Sequence, residues 1–251
     1  MTTCLNCGHV FEGKFCSNCG QKATVDRLTA TALFEDTLHF FTHVESGFLF
    51  TTWNFLARPG ISSMEYFSGK RKTYQSPVSF FLIWTGLYIL VHNAVINFRN
   101  FQLSPELVNA LKIGEQSNVL FRNHFSVFIL PVILLSSFLI YLILTRPRYN
   151  YIEVLTLCLY GAGVYFMICL VSDLLLGLFF KENLLTPGVF LWQAILSVLY
   201  NFWFCLDFYK RLHLRYFWIR LITASVLVSV GGLLIMIYLP AVWMYFFTGK
   251  S

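Results

Sequence analysis

Five blocks of apolar sequence decide what this chain can fold into: Val78–Ile96, Phe125–Thr145, Ile152–Phe180, Gly188–Leu206 and Trp218–Phe247. A hydrocarbon core about 30 Å thick takes about 20 helical residues to cross, and each block is long enough. Polar or helix-breaking residues separate them, at Ser76-Pro77, Arg146-Pro147-Arg148, Lys181-Glu182-Asn183 and Lys210-Arg211. The third and fifth blocks are longer than needed, so tilt or interfacial ends are expected there. Only 12% of the 251 residues are charged, about half the share in soluble domains, which excludes a soluble globular chain. An aromatic content of 18% excludes a disordered one. The expected fold is an all-α membrane protein with five transmembrane helices over residues 77–251. A small head over residues 1–22 and an amphipathic juxtamembrane segment over 23–76 precede them.

Lys and Arg orient such a chain, because the cytoplasmic side of a membrane retains them. With the N-terminus inside, 13 of the 18 cations face the cytoplasm, among them Arg58, Lys70, Arg71, Lys72, Arg146, Arg148, Lys210 and Arg211. Arg99, Lys112, Arg122, Lys181 and Lys250 fall outside. Five spans then leave the C-terminus on the far side. The first 27 residues are polar and cysteine-bearing, unlike a cleavable signal peptide.

The head reads Cys4-Leu5-Asn6-Cys7-Gly8-His9 and, with eight residues between Cys7 and Cys16, Cys16-Ser17-Asn18-Cys19-Gly20-Gln21. Two C-x2-C pairs, each followed by glycine, are the pattern of a zinc ribbon. Each pair wraps one side of a tetrahedral Zn²⁺, and the glycine turns the backbone so that amide N–H groups point at the thiolates. A segment of this size has almost no core, so the metal must supply its folding energy. Cys4, Cys7, Cys16 and Cys19 fill all four positions, which makes the expected single zinc structural rather than catalytic. Two disulfides are the alternative, disfavoured on a reducing cytoplasmic side. Four thiolates around Zn²⁺ leave a local charge of about −2, and Lys14 and Lys22 make no basic patch, so no nucleic acid is expected. A protein partner is. Cys158, Cys169 and Cys205 lie in apolar blocks and read as small buried hydrophobes.

Apolar residues recur at Ala30, Leu33, Phe34, Phe41, Val44 and Phe48, opposite Glu35, His39, Thr42 and Ser46, which predicts an interfacial amphipathic helix. Glu35, His39 and His43 share one helical stripe, usable by a second metal or simply a solvated polar face. A second apolar stretch, Phe48–Leu56, should end at Arg58-Pro59-Gly60. Beyond it Lys70, Arg71 and Lys72, flanked by Tyr66 and Tyr74, suit a membrane surface and attract anionic lipid at about 1 kcal/mol per cation. Topological anchoring, a headgroup or phosphate site at Arg58, Lys70, Arg71, Lys72 and Tyr74, and docking of a partner all remain open for this cluster.

Here the sequence resembles a family. The ribbon residues Cys4, Cys7, Gly8, Phe15, Cys16, Cys19, Gly20 and Gln21 are followed by Arg58, Pro59, Gly60, Glu65, Tyr66, Gly69, Lys70, Arg71, Tyr74 and Pro77. Together they look like an uncharacterised bacterial membrane-protein family, a domain of unknown function. The resemblance covers about the first third of the chain. It implies a bacterial inner-membrane location and carries no reaction or substrate.

Ionisable residues within spans are costly and are therefore functional candidates. Asp173 is the one acid well inside a block, about 10 Å from its outer end. Gln193, Ser197 and Asn201 form a polar stripe on the fourth block that should face other helices. Gln193 lies at the depth of Asp173, and the two are expected to pair. His92, Asn93 and His124 are placed to join that layer, as helix-packing glue or as a binding site. Glu153 and Asp207 read as interfacial charges within reach of Arg148 and Arg211. In the outer loop, Ser104-Pro105-Glu106 and Gly114 predict a short surface helix.

No G-x-S-x-G, H-E-x-x-H or G-x-x-x-x-G-K-[ST] motif occurs, so no enzyme is expected, with intramembrane catalysis by Asp173 and His92 as the one enzymatic alternative. The favoured function is a scaffold or accessory subunit whose ribbon docks a protein partner, on a membrane rich in anionic lipid. The alternative is a small transporter or lipid-handling protein using the polar layer around Asp173 and Gln193.

Overall fold

A computed structural model describes residues 1–31, 33, 47–99, 131–145, 148–210, 216–223 and 225–226. Outside them lie Glu35, His39 and His43 with most of their expected helix, the outer-loop helix, His124, Arg146, Arg211 and most of the fifth apolar block. The described chain is mostly helical. A two-stranded antiparallel hairpin, β1 (Thr2–Thr3) and β2 (Val10–Phe11), belongs to the ribbon. The helices that follow include α1 (Phe48–Ala57), α2 (Pro59–Phe67), α3 (Pro77–Arg99), α4 (Pro131–Ile143), α5 (Tyr151–Leu174) and α6 (Pro187–Tyr209). A π turn over Tyr141–Thr145 ends α4, and another over Leu175–Phe179 extends α5.

Three of these helices are long and apolar enough to cross a membrane: Pro77–Arg99, Tyr151–Phe179 and Leu191–Tyr209. They coincide with the first, third and fourth apolar blocks. Their starts follow local chemistry. Proline, whose missing N–H costs nothing at the first helical turn, opens α2, α3 and α6. Asn150 and Glu153 form a reciprocal capping box at the start of α5. The second block is described only from residue 131, where α4 packs beside α5 through Ser137, Tyr151 and the buried Ile133.

Helix α5 is the centre of the bundle. More than half of its most apolar stretch, 56%, is buried, against 28% for α6, whose Leu191, Ile195 and Leu199 face outward. Two glycines let α3 lie against α5. A Cβ on Gly163 would come within 2.6 Å of the Phe80 ring, and one on Gly177 within 2.5 Å of Val95.

The α1–α2 pair forms the ribbon end of this bundle rather than a separate surface layer. Phe55 is wholly buried, stacked on Tyr160 of α5 at 4.0 Å between ring centroids. Around it gather Tyr66, Tyr74, Phe80 and Phe204. The polarity of α1 is reversed from that of a soluble helix. Thr51, Thr52 and Asn54 point inward, while Leu49 and Trp53 are 75% and 68% exposed. Each inward polar group bonds a carbonyl one turn back, and Thr51 and Thr52 also accept from the Gln75 amide and the Trp84 indole. This is the arrangement expected where the outer neighbours are lipid chains. As expected, α1 stops before Arg58-Pro59-Gly60, and a new helix begins at Pro59.

Candidate functional site

The ribbon is built from the same turn used twice. The Cys4 amide donates to the His9 carbonyl and the Gly8 amide to Cys4. Likewise, the Cys16 amide donates to Gln21 and the Gly20 amide to Cys16. Both turns need a left-handed residue, supplied by Gly8 at φ +75° and Gly20 at φ +74°. The result brings the Sγ atoms of Cys4, Cys7, Cys16 and Cys19 within 4.8 Å of one another, close enough to hold a metal ion. Cys4 and Cys19 lie 3.5 Å apart and Cys7 and Cys16 3.6 Å, far beyond a disulfide bond. Four sulfurs at about 2.3 Å from a tetrahedral ion would be about 3.8 Å apart, so the donor set fits such an ion. The His9 amide and then the Asn18 side chain hold the Cys7 thiol down at about 6, whereas burial pushes Cys19 up to about 11. Backbone and side-chain donors thus favour a thiolate at Cys7, as metal ligation requires.

One knuckle of the ribbon is clamped to the bundle. The Asn6 carboxamide oxygen accepts from both the amide and the hydroxyl of Thr73, at 3.1 and 2.9 Å. Leu5 lies on Gly69, where an added Cβ would meet it at 2.7 Å. Gln21 is buried and bonded at both ends: its Nε2 donates to the Gly69 carbonyl at 2.9 Å, and its Oε1 accepts from the amides of Arg71 and Lys72. A strap continues the clamp. Arg71 donates to the Asp26 carbonyl, Arg27 pairs with both oxygens of Glu153, and Asn150 donates to the Leu28 carbonyl.

The basic cluster is therefore largely turned onto its own chain. Lys70 pairs with Glu65 at 3.3 Å, and Arg71 lies over the Tyr66 ring. Arg58 bonds Asn54, and Lys72 holds Gln21 through its backbone. Tyr74 is buried, with its hydroxyl 2.5 Å from Glu65. Burial, then the Glu65 carboxylate, raises the Tyr74 phenol. Burial alone would raise Glu65, but bonds from Tyr74 and Lys70 outweigh it and keep the carboxyl below its usual value. Asn6 and Gln21 were not picked out as site residues from the sequence. The available signal was Gln21 directly after the second C-x2-C-G.

Gln21 is thus expected to govern the clamp. Gln21→Ala takes the partner from the buried Gly69 carbonyl and from two part-buried amides, a loss of about 1–3 kcal/mol. Hydrogen exchange at the Arg71 and Lys72 amides should rise about ten- to a hundredfold. Unchanged exchange would mean the contact carries no docking energy.

At the other end of the bundle, α3, α5 and α6 close on a polar cluster. Asp173 is 0% exposed. Its Oδ1 accepts from Gln193 Nε2 at 2.8 Å, and its Oδ2 lies 2.6 Å from His92 Nδ1. Asp173 and Gln193 do pair across adjacent helices. The rest of the stripe does not reach them: Asn201 donates to Ser197 at 3.2 Å, and both are only half-buried. Nor are Glu153 and Asp207 ordinary interfacial charges. Both are buried, Glu153 in the Arg27 pair and the capping box, and Asp207 between Lys210 and the Gly60 amide at 2.7 Å. The reach of sequence reasoning ended at near neighbours, whereas Arg27 and Gly60 are distant in the chain. Cys169 and Cys205 are buried and Cys158 half-buried, all three as free thiols.

Comparison with known families adds one finding. Residues 45–89 match a family described as "Protein of unknown function (DUF3667)". The matching stretch is similar to DUF3667 over α1, α2, the clamp loop and half of α3, so it holds the surface on which the ribbon sits. No curated protein and no solved structure matches the chain.

Proposed function

We propose that the protein is a non-enzymatic scaffold or accessory subunit of a bacterial inner membrane, whose ribbon binds one structural zinc and docks a protein partner. The ribbon is cytoplasmic, five helices cross the bilayer, and the C-terminus lies outside, following the bias of 13 cations in 18. Zinc, when bound by Cys4, Cys7, Cys16 and Cys19, supplies the ribbon's folding energy.

The observation that supports this reading is the ribbon's two-sidedness. Leu5, Asn6 and Gln21 hold one side to the clamp loop. The other side offers Val10 and Phe15, 54% and 56% exposed, beside Lys14 and Lys22. A shallow groove of about 390 Å³ lies there, between Gly13–Phe15 and Lys22–Thr24. An exposed aromatic ring rimmed by cations suits an acidic, partly apolar protein segment. A rigid mount also spares a partner part of the cost of ordering the site.

Co-purification from native membranes tests it. The intact chain should retain a stoichiometric partner that is lost in Phe15→Ser, Lys22→Glu while the metal content stays at one per chain. A lone protein carrying lipid or solute would favour the transport alternative.

A further inference from the structure

The cluster around Asp173 has a property that helix-packing glue does not need. Glue requires only hydrogen bonds, which an asparagine would supply. Asp173 instead places a carboxyl group, with no exposed surface, in the apolar part of a spanning helix. Among the described residues no Lys or Arg is paired with it. Its two oxygens meet one carboxamide and one imidazole.

Charge then dictates the state of the pair. An imidazole beside a carboxylate carries a net −1, which hydrocarbon disfavours strongly. One added proton brings the net charge to zero, whether it sits on His92 as imidazolium or on Asp173 as carboxylic acid. Gln193 donates to Oδ1 in either state, so the proton is confined to the His92 side. The facing groups do not change this balance. Tyr88 and Tyr165 are phenols, Cys169 is a thiol one turn before Asp173, and Arg99 lies about 10 Å further along α3 from His92, where its Nε donates to the Gly177 carbonyl.

Access and local backbone point the same way. The His92 side chain is 18% exposed, against none for Asp173, and its Nε2 has no partner among the described residues. The imidazole therefore links the buried carboxyl to the surface. Directly after Asp173, α5 widens into the π turn Leu175–Phe179, a distortion found often at functional positions. Within that turn the Gly177 carbonyl accepts from Arg99.

We propose that His92, Asp173 and Gln193 form a proton-binding site, in which the imidazole–carboxyl pair holds one exchangeable proton inside the bilayer and releases it through the exposed edge of His92. Release leaves neutral imidazole and carboxylate. Uptake reverses it at Nε2 with transfer along the Nδ1–Oδ2 bond. This site is independent of the ribbon and of any partner on it.

The test is infrared difference spectroscopy of the full-length protein in phosphatidylcholine vesicles, stepping between acidic and alkaline buffer. Wild type should show imidazole and carboxyl signals that change together. Asp173→Asn, which preserves the bond from Gln193, should lose the carboxyl signal and alter the imidazole signal coupled to it. His92→Gln should remove the imidazole signal and strengthen that of the protonated acid, because the proton then has only the carboxyl to occupy. Wild-type and variant difference spectra that superimpose would overturn the proposal and leave the cluster as packing glue.

Discussion

Purified protein is expected to contain one zinc per chain, and the double variant Cys16→Ser, Cys19→Ser none. The expected effect is large because the ribbon has so little else to hold it. Its buried apolar set is Cys4, Phe11 and Cys16, with Cys19 and Ala23 packed against them, and its sheet is two residues long on each strand. Structural zinc contributes about 10–16 kcal/mol in zinc-finger peptides, far more than a core of this size supplies. Without the metal, the two knuckle turns open and the clamp made by Leu5, Asn6 and Gln21 is lost with them. Elemental analysis gives the metal content. Hydrogen exchange at the Gly8 and Gly20 amides, both bonded within the knuckles, reports the unfolding. Thiols isolated from native membranes as disulfides would overturn both the zinc site and the cytoplasmic placement.

The second large effect is expected at Gly60. A Cβ there would fall 2.3 Å from the Asp207 carbonyl oxygen and 2.5 Å from its carbonyl carbon. Both are backbone atoms of α6 and cannot swing aside. The same approach lets the Gly60 amide, at the start of α2, donate to Asp207 Oδ2 at 2.7 Å, a carboxylate capping a helix N-terminus from another helix. Gly60→Val forces α2 off α6 and breaks that bond together. Overpacking alone costs about 1–3 kcal/mol, and the lost charged bond adds about 1.5–3 kcal/mol. The melting temperature in detergent should fall by many degrees, or the protein should fail to accumulate folded. Asp207→Asn, which keeps an acceptor and removes the clash from the question, should fall much less. A Gly60→Val protein as stable as wild type would show that α2 and α6 are not packed as described.

Gly60 also shows where sequence reasoning reaches and where it stops. Arg58-Pro59-Gly60 was legible as the end of a helix, because proline and glycine act on their own backbone. That Gly60 is the contact point for a residue 147 positions away was not legible, since nothing local distinguishes a glycine in a turn from one beneath another helix. The basic run Lys70-Arg71-Lys72 is the opposite case. Read locally it is a solvated cationic patch, yet Glu65, Tyr66 and the carbonyl of Asp26 take up two of its charges.

Properties set by neighbours along the chain were determined by the sequence alone. The four-cysteine cluster follows from two short turns, three helices long and apolar enough to cross a membrane follow from three of the five apolar blocks, and the Asp173–Gln193 pair follows from matching depth on adjacent helices. What only the tertiary structure decided depends on which surfaces meet. The ribbon is seated on the segment similar to DUF3667, α1 turns its polar side inward, Arg27 rather than Arg148 neutralises Glu153, and His92 rather than Ser197 or Asn201 completes the Asp173 cluster. The physical reason is that a buried polar group must find a partner wherever packing places one. Packing is settled by the shapes of whole helices, so the partner's position in the chain is not written beside the residue that needs it.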